Sequence, residues 1–149
     1  MHNLYQRVEE KVLRANSGLD DARKASLDDL ADTISSLIQS DGYANLNFIC
    51  THNSRRSHLA QVWAQICAAY HNVNDVICYS GGTEATAVYR TVIATLESQG
   101  ILASQLSQGA NAVYALRFDE VSIPIVAYSK KYSDDFNPNK NFIAVMVCS

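Results

Sequence analysis

Apolar residues recur at helical spacing in the first part of the chain, and this pattern predicts two helices. The first helical face combines Leu4, Val8 and Val12 and is followed by the breaker Asn16-Ser17-Gly18. Ser26 is an N-cap candidate for the second helix, which Asp41-Gly42 ends. Its apolar face consists of Leu27, Leu30, Ile34, Leu37 and Ile38. We therefore expect an N-terminal helical extension over residues 1–42.

From Tyr43 onward, strand and helix patterns alternate. Residues 46–49 form a short apolar run that predicts a buried strand, and a helical face follows from Ser57. Residues 76–79 predict a second strand, and residues 88–96 predict a helix that Gly100 stops. This order favours a parallel sheet with helices on its faces.

The alternation of strand and helix patterns ends at Gly100. Residues 113–118 and 121–128 predict two strands joined around Asp119-Glu120 as a β-hairpin, and Pro124 places its own strand at a sheet edge. Residues 130–140 predict a solvated polar loop, and the apolar run 142–147 predicts a third parallel strand buried on both faces. The sequence thus predicts a three-layer α/β domain over residues 43–149 with an inserted hairpin.

Composition narrows the classes of partner. The 149 residues are 48% apolar and 18% charged, with a net charge of -3, so a nucleic-acid partner is not expected. No apolar run reaches the length of a membrane span, and residues 1–13 lack a signal-peptide core. Four scattered cysteines without zinc-ligand spacing predict reduced thiols, a cytoplasmic protein and neither metal nor cofactor.

The segment from Cys50 to Ser57 carries the clearest chemistry. It places a thiol at the end of a strand, then a five-residue loop, then Arg56 at the start of a helix. Loop N–H groups and the positive end of a helix attract a tetrahedral oxyanion, and the same field lowers a thiol pKa. A guanidinium binds two oxygens of such an anion at once. These residues predict an oxyanion site in which Cys50 can be a thiolate at neutral pH.

The string ICTHNSRRSHLAQVWA resembles the phosphate-binding loop of low-molecular-weight protein tyrosine phosphatases and looks even more like that of the thioredoxin-coupled arsenate reductases. YSGGTEATAVYRTVIATLESQGI is similar to their second strand and helix, and VMVCS to the end of their third strand. The resemblance covers roughly residues 46–102 and 142–149, with the usual error of a few residues. It implies a phosphatase-type fold that hydrolyses a phosphomonoester, with phosphotyrosine as the expected substrate.

The resemblance also implies a role for each loop residue. Cys50 would attack phosphorus to form phosphocysteine, and Arg56 would hold the equatorial oxygens. Ser57 would donate a hydrogen bond to the Cys50 sulfur, and Asn53 would brace the loop in a left-handed backbone conformation. The oxyanion would be cradled by N–H groups of residues Thr51, His52, Asn53, Ser54, Arg55 and Arg56.

Two loop positions and one motif depart from that family. His52 stands where glycine is usual and would crowd the loop. Arg55 stands where cysteine is usual and would either add positive charge near the anion or point to water. The family's Asp-Pro motif, which supplies the general acid, does not occur in this sequence. We therefore expect a domain that is incomplete at its C-terminus and assign no general acid.

The residues leave two alternative functions open. The resemblance to arsenate reductases implies that Cys148 is the redox thiol that attacks Cys50, with thioredoxin as partner. The alternative for Cys148 is a buried, inert thiol at the end of a strand. In a catalytically weak binding domain, the loop would bind phosphate or another oxyanion without turnover. The expected partner is accordingly a phosphorylated protein or a small phosphate or arsenate oxyanion, and a homo-oligomer remains open. Cys67 and Cys78 are expected in the core, and His58 as an ordinary residue of the first helical turn.

Overall fold

The computed structural model describes residues 4–15 and 18–148, which fold into an α/β arrangement of two sheets and four helices. In chain order these elements are α1 (Gln6–Arg14), α2 (Asp21–Asp41), β1 (Ala44–Cys50), α3 (Arg56–Tyr70), β2 (Val76–Gly82), α4 (Arg90–Ser98), β3 (Leu102–Gln105), β4 (Tyr114–Arg117), β5 (Ile125–Ala127) and β6 (Phe142–Met146).

A parallel sheet with strand order β2-β1-β6 holds the end of β1 in place. Its register pairs Cys50 with Gly82, so the carboxyl ends of β1 and β2 lie side by side. The predicted parallel sheet flanked by helices is confirmed. The prediction that the third strand is buried on both faces is wrong, because β6 pairs only with β1 among the described strands and Met146 is 63% exposed.

The second sheet is antiparallel with order β3-β4-β5. The predicted hairpin between β4 and β5 is confirmed, and Pro124 directly precedes the edge strand β5. The sheet also contains β3, which the sequence analysis missed because its four residues show no regular apolar alternation. The predicted second strand was too long, since Val121 and Ile123 lie exposed ahead of β5.

Helices cover one face of the parallel sheet and a loop covers the other. Apolar residues of α2 and α3 pack against the β1 face that carries Leu46 and Phe48. On the opposite face, the Asn47 amide donates to the Tyr132 carbonyl at 3.2 Å, and Tyr79 packs edge-on against Phe136. Residues 130–140 are thus a structural layer. The expectation of a solvated loop is wrong for Lys130, which is 1% exposed.

The N-terminal helices belong to the packed structure. Val8 and Val12 of α1 lie in the same apolar cluster as residues of α3, α4 and the antiparallel sheet. The prediction that Ser26 caps α2 is wrong: the side chain of Asp20 accepts the N-terminal hydrogen bond, from the Arg23 N–H at 2.7 Å. Gly42 ends α2 with a φ of 81°, as predicted for a C-terminal glycine. Asn16 and Ser17 of the predicted breaker lie outside the described residues.

Within the part of the chain that the structure describes, the helices are too short or too polar to cross a membrane.

Candidate functional site

The loop between β1 and α3 curls around the sulfur of Cys50. Cys50 Sγ lies 3.1 Å from Ser57 Oγ, the contact that the sequence analysis predicted. Burial raises the pKa of the Cys50 thiol, but hydrogen bonds from the Ser57 hydroxyl and from the backbone N–H groups of Ser57, Asn53 and Ser54 outweigh burial and leave this pKa below its ordinary value. The loop thus favours a thiolate that faces inward-pointing N–H groups.

Asn53 is the internal brace of this loop. Its φ of 44° is left-handed, as predicted, and its side chain is fully buried. The Asn53 Nδ2 group donates to Ser57 Oγ at 2.8 Å, while Asn53 Oδ1 accepts from the Lys130 backbone N–H at 2.9 Å. One amide side chain therefore orients the hydroxyl beside the thiol and ties the loop to a distant segment.

A second brace holds the outer side of the loop. The His52 carbonyl accepts hydrogen bonds from Ser129 Oγ at 2.9 Å and from Thr86 Oγ1 at 3.1 Å. Ser129 Oγ also accepts from the Thr86 N–H at 2.8 Å, so the three residues form one network. Because carbonyl oxygens of the loop are satisfied from outside, its N–H groups stay free to face the sulfur.

Gly82 allows the loop to lie directly against β2. A Cβ atom at this position would approach the Thr51 carbonyl to 2.6 Å and the Asn53 nitrogen to 2.7 Å, closer than real Cβ atoms come. Gly81 is equally constrained, because its Cβ would collide with the backbone of Tyr132. The glycine pair therefore serves the close approach of three backbone segments.

His58 is buried against the loop and holds it by a hydrogen bond. The expectation that His58 is an ordinary residue of the first helical turn is therefore wrong. It is 1% exposed, and burial together with the charge of Lys130 lowers its pKa to about 3. In the neutral ring that this pKa requires, Nε2 donates to the Asn53 carbonyl at 2.9 Å and Nδ1 accepts from Ser80 Oγ at 3.3 Å. His58 thus links the loop to β2 without carrying charge.

A cavity of about 280 Å³ opens above the sulfur. Arg56 lines it and has no hydrogen-bond or ion-pair partner over residues 4–15 and 18–148, so its guanidinium is free to meet an anion. Arg55 lies over the Tyr89 ring at 5.6 Å, and His52 Nε2 lies 3.6 Å from Glu84 Oε2. The lining residues are Cys50, His52, Ser54, Arg55, Arg56, Thr86 and Tyr89.

The structure gathers most of the predicted site residues around this cavity. Thr51 and Asn53 contribute from behind it, Thr51 through a carbonyl that accepts from the Glu84 N–H at 2.8 Å. Thr51 Oγ1 also lies 3.8 Å from Cys148 Sγ, which brings the predicted redox cysteine to the residue next to Cys50. All four thiols are free.

Of the other two cysteines, Cys78 is buried in the core, as predicted, whereas Cys67 is half-buried and packs against the core. Burial raises the pKa of Cys67, and burial with the nearby Cys67 raises the pKa of Cys78 to about 12. Both thiols therefore stay protonated under conditions in which Cys50 ionises more readily. Among the described residues, no group of three His, Cys, Asp or Glu side chains is placed to hold a metal ion.

Sequence reasoning missed the supports that come from outside the loop: Ser80, Gly82, Ser129 and Lys130. Ser80 and Gly82 follow an apolar strand that pairs with β1, so their position beside the loop could have been inferred from parallel pairing. Ser129 and Lys130 stand 77 residues after the loop residues that they contact, and no local pattern marks them.

Searches against protein-family models, curated proteins and solved structures give no match to this chain.

Proposed function

We propose that the protein hydrolyses phosphomonoesters, phosphotyrosine first among them, through a phosphocysteine at Cys50. One observation carries the proposal: hydrogen bonds from Ser57 Oγ and from loop N–H groups converge on the Cys50 sulfur. They do so beneath a cavity that Arg56 lines. A thiolate nucleophile and donors for a doubly charged oxyanion thus occupy one small volume.

The chemistry follows from this arrangement. The Cys50 thiolate attacks phosphorus, the P–O ester bond breaks, and the leaving oxygen takes its proton from solvent. Arg56 and the loop N–H groups hold the three equatorial oxygens while charge spreads over them. Water then attacks the phosphocysteine, releasing phosphate and returning the thiolate, whose low pKa makes it a good leaving group.

The resemblance of the loop to low-molecular-weight protein tyrosine phosphatases supports the same reading, and we propose membership of that family. The supporting residues are Cys50, Asn53, Arg56 and Ser57, now with a left-handed Asn53 and a short Ser57–Cys50 contact. The Asp-Pro motif of the family does not occur in the sequence, so the proposal assigns no general acid.

Turnover of para-nitrophenyl phosphate tests the proposal. We expect phosphate release that Cys50→Ser abolishes and that Arg56→Ala reduces by about 10²–10³-fold, the effect typical of removing one transition-state donor. A ³¹P or mass-spectrometric signal of phosphocysteine should appear in rapidly quenched protein. Release that persists in Cys50→Ser would overturn the proposal, and phosphate binding without any release would leave an oxyanion-binding domain.

Arsenate reduction is the second candidate, favoured by the 3.8 Å contact between Thr51 Oγ1 and Cys148 Sγ. Cys50 would bind arsenate covalently, and the Cys148 thiol would displace arsenite, leaving a Cys50–Cys148 disulfide for thioredoxin to reduce. Arsenate-dependent oxidation of reduced thioredoxin that Cys148→Ser abolishes would support this candidate. Cys67→Ser is the matched control, and equal loss in both variants would argue against a redox role of Cys148.

A further inference from the structure

A second cavity, of about 500 Å³, adjoins the oxyanion cavity. The two share Ser54, Thr86 and Tyr89 as a common wall. The inner cavity, with about 280 Å³, accommodates a phosphoryl group and the atoms next to it. A phosphoryl group held at Cys50 can carry a substituent too large for the inner cavity. Where such a substituent extends past the shared wall, it enters the second cavity.

The residues that line the second cavity come mainly from the segment that leads into α4, from β3 and β4, and from the loop between these two strands. Its surface is mixed: Ala87, Val88 and Tyr114 contribute apolar and aromatic area, and Thr91 and Gln105 contribute polar groups. Arg90 is the one guanidinium on it, and no carboxylate lines it within the described residues. Such a surface suits an extended ligand of mixed polarity that carries one negative group.

Arg90 is available to that negative group. It is exposed at the first residue of α4, and no hydrogen bond or ion pair engages its side chain over the described parts of the chain. Arg55, by contrast, already lies over the Tyr89 ring. The cation that can select a ligand in the second cavity is therefore Arg90.

We infer that the second cavity binds the residues that flank phosphotyrosine in a peptide substrate, with an acidic side chain placed against Arg90. This inference rests on the proposed phosphatase function. A compact aryl phosphate has no atoms that reach the 500 Å³ beyond the shared wall. In a peptide, the residues on either side of the phosphotyrosine extend past this wall. An acidic neighbour would form an exposed ion pair with the guanidinium, adding specificity more than affinity.

A filling variant tests the cavity. Ala110 lies exposed on the loop after Gly109, so Ala110→Trp places an indole in the cavity without disturbing the core. The measurement is the ratio of kcat/KM for an acidic phosphotyrosine peptide to that for para-nitrophenyl phosphate. We expect this ratio to fall by about tenfold, the effect of losing roughly 1.4 kcal/mol of contact. Ala31→Trp, on the exposed part of α2, is the matched control and should leave the ratio unchanged.

Charge reversal tests the acidic preference. Arg90→Glu should lower kcat/KM for a glutamate-flanked phosphopeptide by about fivefold, the upper range for one exposed ion pair. The same variant should favour a lysine-flanked peptide. If Ala110→Trp leaves the ratio intact, or Arg90→Glu leaves the preference intact, the corresponding part of the inference fails while the phosphatase proposal stands.

The two proposals fail in distinguishable ways. A wild-type protein that releases no phosphate from para-nitrophenyl phosphate contradicts the proposed function. In that case, calorimetry of peptide binding to the Cys50→Ser protein, with and without Ala110→Trp, tests whether the second cavity binds peptide. Phosphopeptide affinity that equals the affinity for inorganic phosphate in both proteins overturns the inference.

Discussion

The Asn53 side chain joins the oxyanion loop to a segment 77 residues later, because Asn53 Oδ1 accepts the Lys130 backbone N–H at 2.9 Å. The Lys130 carbonyl in turn accepts the Gly82 N–H at 2.9 Å. Lys130 therefore contacts both the loop and the neighbouring strand through its backbone, while its side chain is buried. The shape of the candidate site depends on this distant tie as much as on the loop residues themselves.

The Ser57 hydroxyl is expected to lower the pKa of Cys50 directly. Ser57→Ala removes the hydroxyl that lies 3.1 Å from Cys50 Sγ, and a hydrogen bond to a charged group is worth about 1.5–3 kcal/mol. We therefore expect the pKa of Cys50 to rise. The pH dependence of iodoacetamide alkylation at Cys50 measures this shift.

Ser54→Ala is the matched control for that measurement. Ser54 contributes its backbone N–H to the thiolate, and this group survives the substitution. The alkylation midpoint of Ser54→Ala should match that of the wild type. A midpoint in Ser57→Ala that also matches the wild type would contradict the role assigned to the hydroxyl.

The left-handed backbone at Asn53 separates two substitutions. Asn53→Gly and Asn53→Ala both lose the hydrogen bonds to Ser57 Oγ and from the Lys130 N–H. At a φ of 44°, alanine carries an additional cost of about 1 kcal/mol that glycine avoids. Urea denaturation should therefore rank the free energies of unfolding as wild type, then Asn53→Gly, then Asn53→Ala. Equal values for the two variants would show that the backbone conformation costs nothing.

The buried Lys130 ammonium should make stability depend on pH in the alkaline range. Burial lowers the pKa of Lys130 to about 8, partly opposed by Asp134, whereas the ordinary lysine value is 10.5. Between these values the unfolded chain binds more protons than the folded chain, so the free energy of unfolding rises with pH. The rise that Lys130 contributes is on the order of 3 kcal/mol across the window.

Lys130→Met tests this dependence. Its thioether chain still fits between Tyr128 and Phe136, whose ring centres lie 4.5 and 5.4 Å from the ammonium. We expect urea denaturation of this variant to show a flatter pH profile between 8 and 10.5 than the wild type. Lys131→Met changes an exposed neighbour and should keep the wild-type profile. Parallel profiles for Lys130→Met and wild type would contradict the buried-charge account.

His58 should make the protein sensitive to acid. Burial and the charge of Lys130 lower its pKa to about 3, below the ordinary 6.5, so folding opposes its protonation. The contribution of neutral His58 to the free energy of unfolding is fully present above pH 6.5, the ordinary pKa, and is lost as the pH falls from 6.5 towards 3. His58→Gln should unfold over a less steep acid transition, followed by circular dichroism. His71→Gln, at the exposed end of α3, is the control, and an unchanged His58→Gln transition would contradict the assignment.

The local parts of the site were predictable from sequence, and the distant supports were not. A strand, a loop and a helix that are contiguous in sequence fix Cys50, Asn53 and Ser57, and the left-handed preference of asparagine is a local property. The hydrogen bonds from Ser129 and Lys130 to the loop depend on tertiary packing of residues 128–137 against β2. A polar composition that resembles a solvated loop gave no sign of this packing.

The same contrast holds for the fold. The order of strands and helices predicted the parallel sheet, because each crossover brings the next strand alongside. The position of β6 at the edge of the sheet was not predictable, since an apolar run reads alike in an edge and in a central strand. The short β3 has no periodic signal and is held by its pairing with β4.

Protection of Cys50 from alkylation by inorganic phosphate tests the central claim most directly. Iodoacetamide near neutral pH, with labelled cysteines quantified by mass spectrometry, compares Cys50 with Cys67 and Cys78, whose pKa values burial raises. The account predicts fast labelling of Cys50 that millimolar phosphate slows in the wild type and slows much less in Arg56→Ala, while labelling of Cys67 and Cys78 does not respond. Labelling of Cys50 that phosphate leaves unchanged would contradict an oxyanion site at this sulfur.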